Sequence, residues 1–475
     1  MKTKIVATVG PASSSKEVLK KLIQTGVNVF RINFSHGTHA DHLKSINTIK
    51  DLNAELNTHV AILADLQGPK IRIGLVENGA VVLKEGEKII FTTKPILSNA
   101  EKLYISYPDF AKDARVNEDI LLDDGKLQCK VLSTNGIDEV ETIITHGGVL
   151  TEKKGVNLPN TKVSLPSLTE KDERDLAFIL ENELHWIALS FVRSADDIAY
   201  LKEKIHIGKK QHVPGIIAKI EKPEAIPNID QIIDITDGIM VARGDLGVEV
   251  PLEQVPLIQK MLIQKCNQAA KPIIVATQMM ESMMNNIRPS RAEVNDVANS
   301  VMDGTDAVML SGETAVGSYP VEVIATIRRI IGEIEKGEAV YNKNTKELVN
   351  IDGDRLISDA ILQSACNIAH QTHAAAIIAM THTGYSASII SSQRPKQNIF
   401  IFSSDNFVLS KLSLLWGIKT YHFEPTINST TKTLQMVTEK LLNENKIKKG
   451  DLLIKVSSTP IYVAGKTNNL KLEYA

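Results

Sequence analysis

Short runs of β-branched and apolar residues recur at 4–9, 27–33, 59–66, 185–190, 215–220, 238–242, 272–276 and 306–310, each closing on polar residues and most followed by helical periodicity. A continuous apolar run of this length is how a strand buried on both faces reads, and its alternation with helices predicts parallel βα units. Eight such units fit either a closed (β/α)8 barrel or a large open sheet. The ends of the runs favour the barrel: Thr8, Arg31 with Asn33, Asp65, Ser190, Lys219 with Glu221, Arg243 with Asp245, Thr277, and Ser311 with Glu313. Barrel enzymes take their chemistry from several strand ends, whereas an open sheet gathers it at one switch point.

The rhythm breaks between Lys70 and about residue 166, where 81–91 and the turn signal Asp123-Asp-Gly125 read as hairpins. An inserted β domain, barrel-like in its own right, is therefore expected over 70–166. Leaving the barrel after its third strand, it lies above the strand ends as a lid does. A charged stretch over 333–354 reads as a helix end and linker. From Arg355 a helix to about His370 and strands near 375–380, 398–402 and 452–456 predict a C-terminal α/β domain over 352–475. The predicted fold class is thus α/β: a TIM barrel from 1–69 and 167–340, a lid, and a C-terminal regulatory domain.

Length and charge sharpen this picture. At 475 residues, two or three domains are expected. A formal net charge of -2 gives no electrostatic reason to expect nucleic acid or an anionic membrane, so local sites must carry the function. Cys129, Cys266 and Cys366 are far apart and lack metal-ligand spacing, which points to buried thiols in a reducing compartment. Residues 1–7 carry no signal-peptide pattern and no apolar stretch reaches a membrane span, so a soluble cytoplasmic protein is expected.

Lys219 and Glu221, two residues apart at a strand end, can point to the same side, and Asp245 one strand on can share a divalent ion with Glu221. Two carboxylates plus substrate oxygens suit Mg²⁺, which keeps several of its waters. The alternative is a structural Lys219–Glu221 ion pair. Gly244 and Gly247 let a ligand approach the backbone around Asp245, although an ordinary turn is the commoner fate of such glycines. Arg31, Asn33 and Ser35 share a face by the same alternation: the arginine suits a phosphoryl group, and Asn33, Ser35 and Asp65 are hard donors for a weakly held cation. His36 is equally a surface histidine. In 274–284 the methionines read as core filler on a helix, leaving Thr277 as the site candidate. Ser311 and Glu313 could relay a proton or cap the next helix.

These blocks resemble pyruvate kinase: 4–13, Arg31-Ile-Asn-Phe-Ser-His-Gly37, Lys219-Ile-Glu221, 240–249, Ala276-Thr-Gln-Met279 and 310–315, in that family's order and along essentially the whole chain. The resemblance implies phosphoryl transfer from phosphoenolpyruvate to ADP, giving ATP and pyruvate, in a homotetramer of glycolysis. It implies Mg²⁺, or Mn²⁺, on Glu221 and Asp245, and Lys219 and Arg31 on the phosphoryl group. The Gly244 and Asp245 amides would bind the carboxylate, Thr277 would lie against the enolate carbon, and Ser311 would serve the final protonation. His36, Arg72 and Lys154 would contact the nucleotide. A monovalent cation would bind Asn33, Ser35, Asp65 and Leu66.

Two departures modify that expectation. Members needing K⁺ usually carry Asp-Thr-Lys-Gly-Pro-Glu after the third strand, but this chain has Asp65-Leu-Gln-Gly-Pro-Lys70. The Lys70 ammonium is expected to substitute for K⁺. In the C-terminal domain, Thr381, Thr383, Gly384 and Ser386 resemble an effector phosphate loop, with His382 and Tyr385 in place of basic residues, and 457–460 lacks an activator-closing loop. Fructose 1,6-bisphosphate activation is therefore not expected, and another phosphorylated effector stays open. Two rival classes remain at this stage: a Mg²⁺-enolate carbon–carbon lyase, and a binding protein without turnover.

Overall fold

The computed structural model describes residues 1–207, 212–342, 355–424, 429–459 and 467–475. Residues 343–354 of the expected linker, with the boundary at 352, lie outside the described residues, as does Pro460. All eight predicted runs form strands: β1 (Lys4–Thr8), β2 (Val29–Asn33), β3 (Ala61–Asp65), β4 (Trp186–Leu189), β5 (Gly215–Ile220), β6 (Gly238–Ala242), β7 (Ile273–Ala276) and β8 (Ala307–Leu310). They pair in parallel in chain order, and Lys4 against Ala307 closes the barrel.

Strand alternation decides what reaches the mouth. Val6, Val29, Leu63, Ala188 and Ile217 belong to one apolar cluster filling the barrel. Two residues further along the same faces come Thr8, Arg31, Asp65, Ser190 and Lys219, so the side chains that continue the inner layer at its upper end are polar. The opposite faces, with Ile5, Phe30, Ile62, Ile187 and Ile216, pack beneath the surrounding helices.

Between β3 and β4 the chain builds a six-stranded sheet and a two-stranded one. Asp119–Leu122 and Leu127–Thr134 form the expected hairpin, turning through Asp123, Asp124 and Gly125 at φ 50, 58 and 83°. The second expected hairpin, over 81–91, does not form. Ala80–Leu83 pairs with Gly148–Thr151, and Lys88–Thr92 pairs with Glu139–His146 and Lys102–Tyr104. Alternation marks a strand but not its partner, and here distant strands supply the complementary faces. Phe91, Tyr107 and Phe110 centre this domain's core.

The C-terminal region has the expected helix, Leu356–Gln371, and strands Ala376–Met380, Asn398–Ser403 and Leu452–Ser457. Two strands not foreseen, Ile418–His422 and Asn469–Tyr474, complete a five-stranded sheet at its edges. Both are largely half-buried and polar, so neither shows the apolar run of a central strand. This sheet docks beneath the barrel through Arg394, whose two terminal nitrogens each lie 2.9 Å from an Asp306 oxygen at the foot of β8.

The methionines of 274–284 are core filler, with Met279, Met280 and Met283 fully buried, but Glu281–Met284 is a 3₁₀ turn rather than part of a longer helix. All three cysteines are buried. Among the described residues no helix is long and apolar enough to cross a membrane.

Candidate active site

Lys219 lies near the end of β5, in the barrel mouth. Its ammonium donates to Ser190 Oγ at 2.7 Å and pairs with Glu221 Oε1 at 2.9 Å and Asp65 Oδ1 at 3.2 Å. The Asp65 contact is a close ion pair without hydrogen-bond alignment, which leaves Oδ1 a buried oxygen without a hydrogen-bond partner. Asp65 Oδ2 accepts from Arg31 Nε at 2.6 Å, and Arg31 Nη1 donates to Thr8 Oγ1 at 3.1 Å. β2, β3 and β5 thus bring two cations around one carboxylate. Burial opposes ionisation of Asp65, but Lys219 and Arg31 outweigh it and hold its pKa below the ordinary value. Burial likewise opposes the charge on Lys219, and Asp65 and Glu221 overcome it, raising its pKa.

Glu221 is 1% exposed and accepts from the Phe191 amide at 2.8 Å. Burial pushes its pKa up, with Asp245 adding to the shift and Lys219 working against it. Two carboxylates close enough to repel are a natural cation pair. Among the described residues no group of three or more His, Cys, Asp or Glu could hold a metal, so a divalent ion here would depend on two carboxylates completed by substrate oxygens and water.

Beside them, Gly244 is the second residue of the helix Arg243–Glu249 after β6, and its amide donates to Thr277 Oγ1 at 2.7 Å. Thr277 follows β7 with φ 71°, a left-handed conformation rarely adopted by a β-branched residue. Ser311 makes no side-chain cap to the helix after β8. Glu313 does bind backbone there, accepting from the Ser311 and Met280 amides at 2.7 and 3.1 Å. The anchoring role expected of one member of that pair falls to the carboxylate.

The inserted domain faces this ring. Asn157 on its last strand donates to Glu249 Oε1 at 2.8 Å, and Lys222 pairs with the same oxygen at 2.7 Å. Lys70, Lys222, Asp245 and Glu249 line the intervening cleft. Arg72 bridges to Gly155 and donates to the Lys153 carbonyl, while Lys154 pairs with Asp123 at 2.8 Å, so Arg72 and Lys154 neighbour each other. His36 is exposed on the turn after β2.

The family model described as pyruvate kinase, barrel domain, matches residues 1–324, and that described as pyruvate kinase, alpha/beta domain, matches 359–473. The chain belongs to the pyruvate kinase family. It is 43% identical to a pyruvate kinase of Geobacillus stearothermophilus, over 99% of this chain and 80% of the relative. To a pyruvate kinase of Clostridium acetobutylicum it is 41% identical over 99% of both chains. A solved pyruvate kinase from Cryptosporidium parvum superposes with a TM-score of 0.92 at 36% identity, covering 100% of this chain and 96% of that one. As a pyruvate kinase the chain is a phosphotransferase, which displaces the lyase and binding-protein alternatives.

Within this pyruvate kinase mouth the fold unites Arg31, Asp65, Lys219 and Glu221 in one network, with Thr277 and Gly244 in direct contact beside it. Asn33 and Ser35 form a local turn, the Ser35 amide donating to Asn33 Oδ1 at 3.1 Å, and the Leu66 carbonyl accepts from Ser190 Oγ at 2.8 Å. Among the described residues no ion pair joins Lys70 to Asp65; Lys70 is one of the residues lining the cleft that Asp245 also lines. Sequence reasoning named Thr8 and Ser190 only as strand ends. Their position two residues beyond inner-layer Val6 and Ala188 was the signal that could have promoted them.

In the C-terminal sheet, Thr381 Oγ1 accepts from the Gly384 amide at 2.9 Å, and Ser386 Oγ lies 3.1 Å from Thr467 Oγ1. Thr383 is exposed on the same loop. This loop leaves the strand Ala376–Met380, which pairs with Asn398–Ser403 on one side and Leu452–Ser457 on the other. That is the point where the strand order reverses, the ordinary place for a ligand in an open parallel sheet.

Proposed function

We propose that the chain transfers the phosphoryl group of phosphoenolpyruvate to ADP in cytoplasmic glycolysis, as a homotetramer. The observation that carries this is the Lys219 ammonium held between Asp65 and Glu221, with Arg31 on the far side of Asp65. A phosphoryl group above Asp65 would meet both cations, and Lys219 is also placed to steady the enolate oxygen released with it. Mg²⁺, or Mn²⁺, held by Glu221 and Asp245 would neutralise charge on the substrate oxygens. The Gly244 and Asp245 amides would take the substrate carboxylate, Thr277 would lie against the enolate carbon, and Ser311 would stand beside the route of the final proton. Arg72 and Lys154, with His36 from the barrel, would hold the nucleotide as the domain of 70–166 closes over the barrel of 1–69 and 167–340.

The same reading makes activity independent of K⁺. Asn33, Ser35, Asp65 and the Leu66 carbonyl are the donors a monovalent ion would use, and Lys70 adds a fixed positive charge to the adjoining cleft. The domain of 352–475 would regulate, with Thr381, Thr383, Gly384 and Ser386 as its effector loop.

The test is pyruvate release from phosphoenolpyruvate, ADP and Mg²⁺, coupled to lactate dehydrogenase, in K⁺ or tetramethylammonium, for wild type and Lys70→Glu. Equal wild-type rates and a K⁺-dependent variant are expected. Strong K⁺ activation of wild type would remove the built-in cation, and no ADP-dependent turnover in either buffer would remove the activity.

A further inference from the structure

Arg243 is the charged residue of the Arg243-Gly-Asp motif to which the proposed reaction gives no role. Its target is a strained turn. Thr277 and Gln278 follow one another at φ 71 and 54°, and side-chain-bearing residues hold such a backbone only where neighbours enforce it. Arg243 supplies that enforcement from the start of the helix that follows β6: Nε donates to the Ala276 carbonyl at 3.2 Å and Nη2 to the Thr277 carbonyl at 2.6 Å. Its remaining nitrogen pairs with Asp296 at 2.7 Å, which aims the guanidinium plane, and also reaches Gln259 Oε1 at 3.5 Å. A planar fork spans two successive carbonyls in a way that a lysine ammonium cannot copy. On the side-chain side of the same turn, Thr277 Oγ1 accepts from the Gly244 amide and donates to the Ala276 carbonyl at 2.5 Å. Backbone and hydroxyl of Thr277 are thus both fixed by neighbouring residues of one motif.

We propose that Arg243 is a positioning residue that clamps the left-handed Thr277-Gln278 turn and so sets where the Thr277 hydroxyl stands in the barrel mouth. The inference rests on the assignment of Thr277 to the enolate carbon. Without the fork the turn relaxes toward ordinary backbone angles, and Thr277 moves while Lys219, Arg31 and Glu221, held by their own partners, stay.

The experiment is steady-state kinetics on folded, full-length Arg243→Lys, Gln278→Gly, the double variant and Thr277→Ala. Arg243→Lys is expected to lower kcat about 100-fold, the size of effect an ångström-scale misplacement produces. Its KM for phosphoenolpyruvate should stay within about threefold of wild type, because the groups that grip the phosphoryl group are untouched. Gln278 is exposed, and glycine adopts its left-handed angles freely, so the double variant should recover about tenfold of the lost kcat. A residue that merely supported folding would show neither the kcat-selective loss nor that recovery.

Wild-type kcat in Arg243→Lys, or a loss the double variant does not relieve, overturns the clamp. Should Arg243→Lys fail to fold, Asp296→Asn, which frees the guanidinium from its anchor, is read by the same two criteria. Full activity in Thr277→Ala would overturn the assignment of Thr277 and the clamp with it. Loss in Thr277→Ala beside an unaffected Arg243→Lys would overturn the clamp alone.

Discussion

Among the described residues Lys219 is the side-chain cation paired with Glu221, so removing its charge leaves that carboxylate buried beside Asp245 without its ion-pair partner, while Asp65 keeps Arg31. Lys219→Gln is therefore expected to lower kcat about 1000-fold, the upper range for loss of a preorganised charge-stabilising donor. It should also destabilise the fold by about 3 kcal/mol in urea unfolding at neutral pH, as for a broken buried pair. Glu221, whose pKa is already raised, can escape that penalty by taking a proton, so the stability deficit should shrink as pH falls. A second titration sits at the foot of β4. His185 accepts from the Ile62 amide at 3.0 Å through Nδ1, and burial, aided by nearby cations, pushes its pKa down to about 3. Between the ordinary histidine value of about 6.5 and that lowered value the unfolded chain binds the extra proton. Stability from this group is complete above the upper value and is lost as pH falls toward the lower one. Melting temperatures from pH 7 to 4 should fall more steeply for wild type than for His185→Asn, which keeps an acceptor without the charge; equal slopes would contradict this.

At the scale of elements, the loop that leaves the barrel for the inserted domain is packed against the turn that holds the reacting side chains. Gly68, at φ 68°, lies where an added Cβ would come within 2.9 Å of the Phe191 ring and 3.0 Å of Ser190 Cβ. Ser190 holds Lys219, and the Phe191 amide holds Glu221. Gly68→Ala should therefore cost about 1–3 kcal/mol of stability by overpacking. The displaced turn should also lower kcat about 100-fold; a variant with wild-type turnover would show that the turn gives way harmlessly. The elements themselves were unevenly legible. The barrel strands announce themselves because both faces are buried, but the edge strands Ile418–His422 and Asn469–Tyr474 are half-polar and blend with loops. The hairpin expected over 81–91 failed for a related reason: its alternation was genuine, but the partners lay elsewhere in the chain.

Across the whole molecule, the C-terminal domain is tied to the barrel by a buried charge. Arg394 is 1% exposed, binds Asp306 with both terminal nitrogens, and also donates to Asn267 Oδ1 and the Gly304 carbonyl at 2.6 and 2.8 Å. Asp306 in turn accepts from the amides of Ile273 and Trp416, one from each side of the junction. Arg394→Met should leave that carboxylate without its cation and cost about 3–5 kcal/mol. Calorimetry should show the loss as an early transition of the C-terminal domain; an unchanged thermogram would mean that apolar packing alone holds the junction.

Sequence alone determined the strands of the barrel, the polar residue at the end of each and the motifs that mark the family, because period-two alternation and short motifs are local properties of the chain. It could not determine that Lys219 also pairs with Asp65, that Ser190 links Lys219 to the Leu66 carbonyl, or that Arg243 grips the carbonyls beside Thr277. Those contacts join residues distant in sequence, and only closure of the barrel, which brings successive strand ends side by side, decides which of them meet.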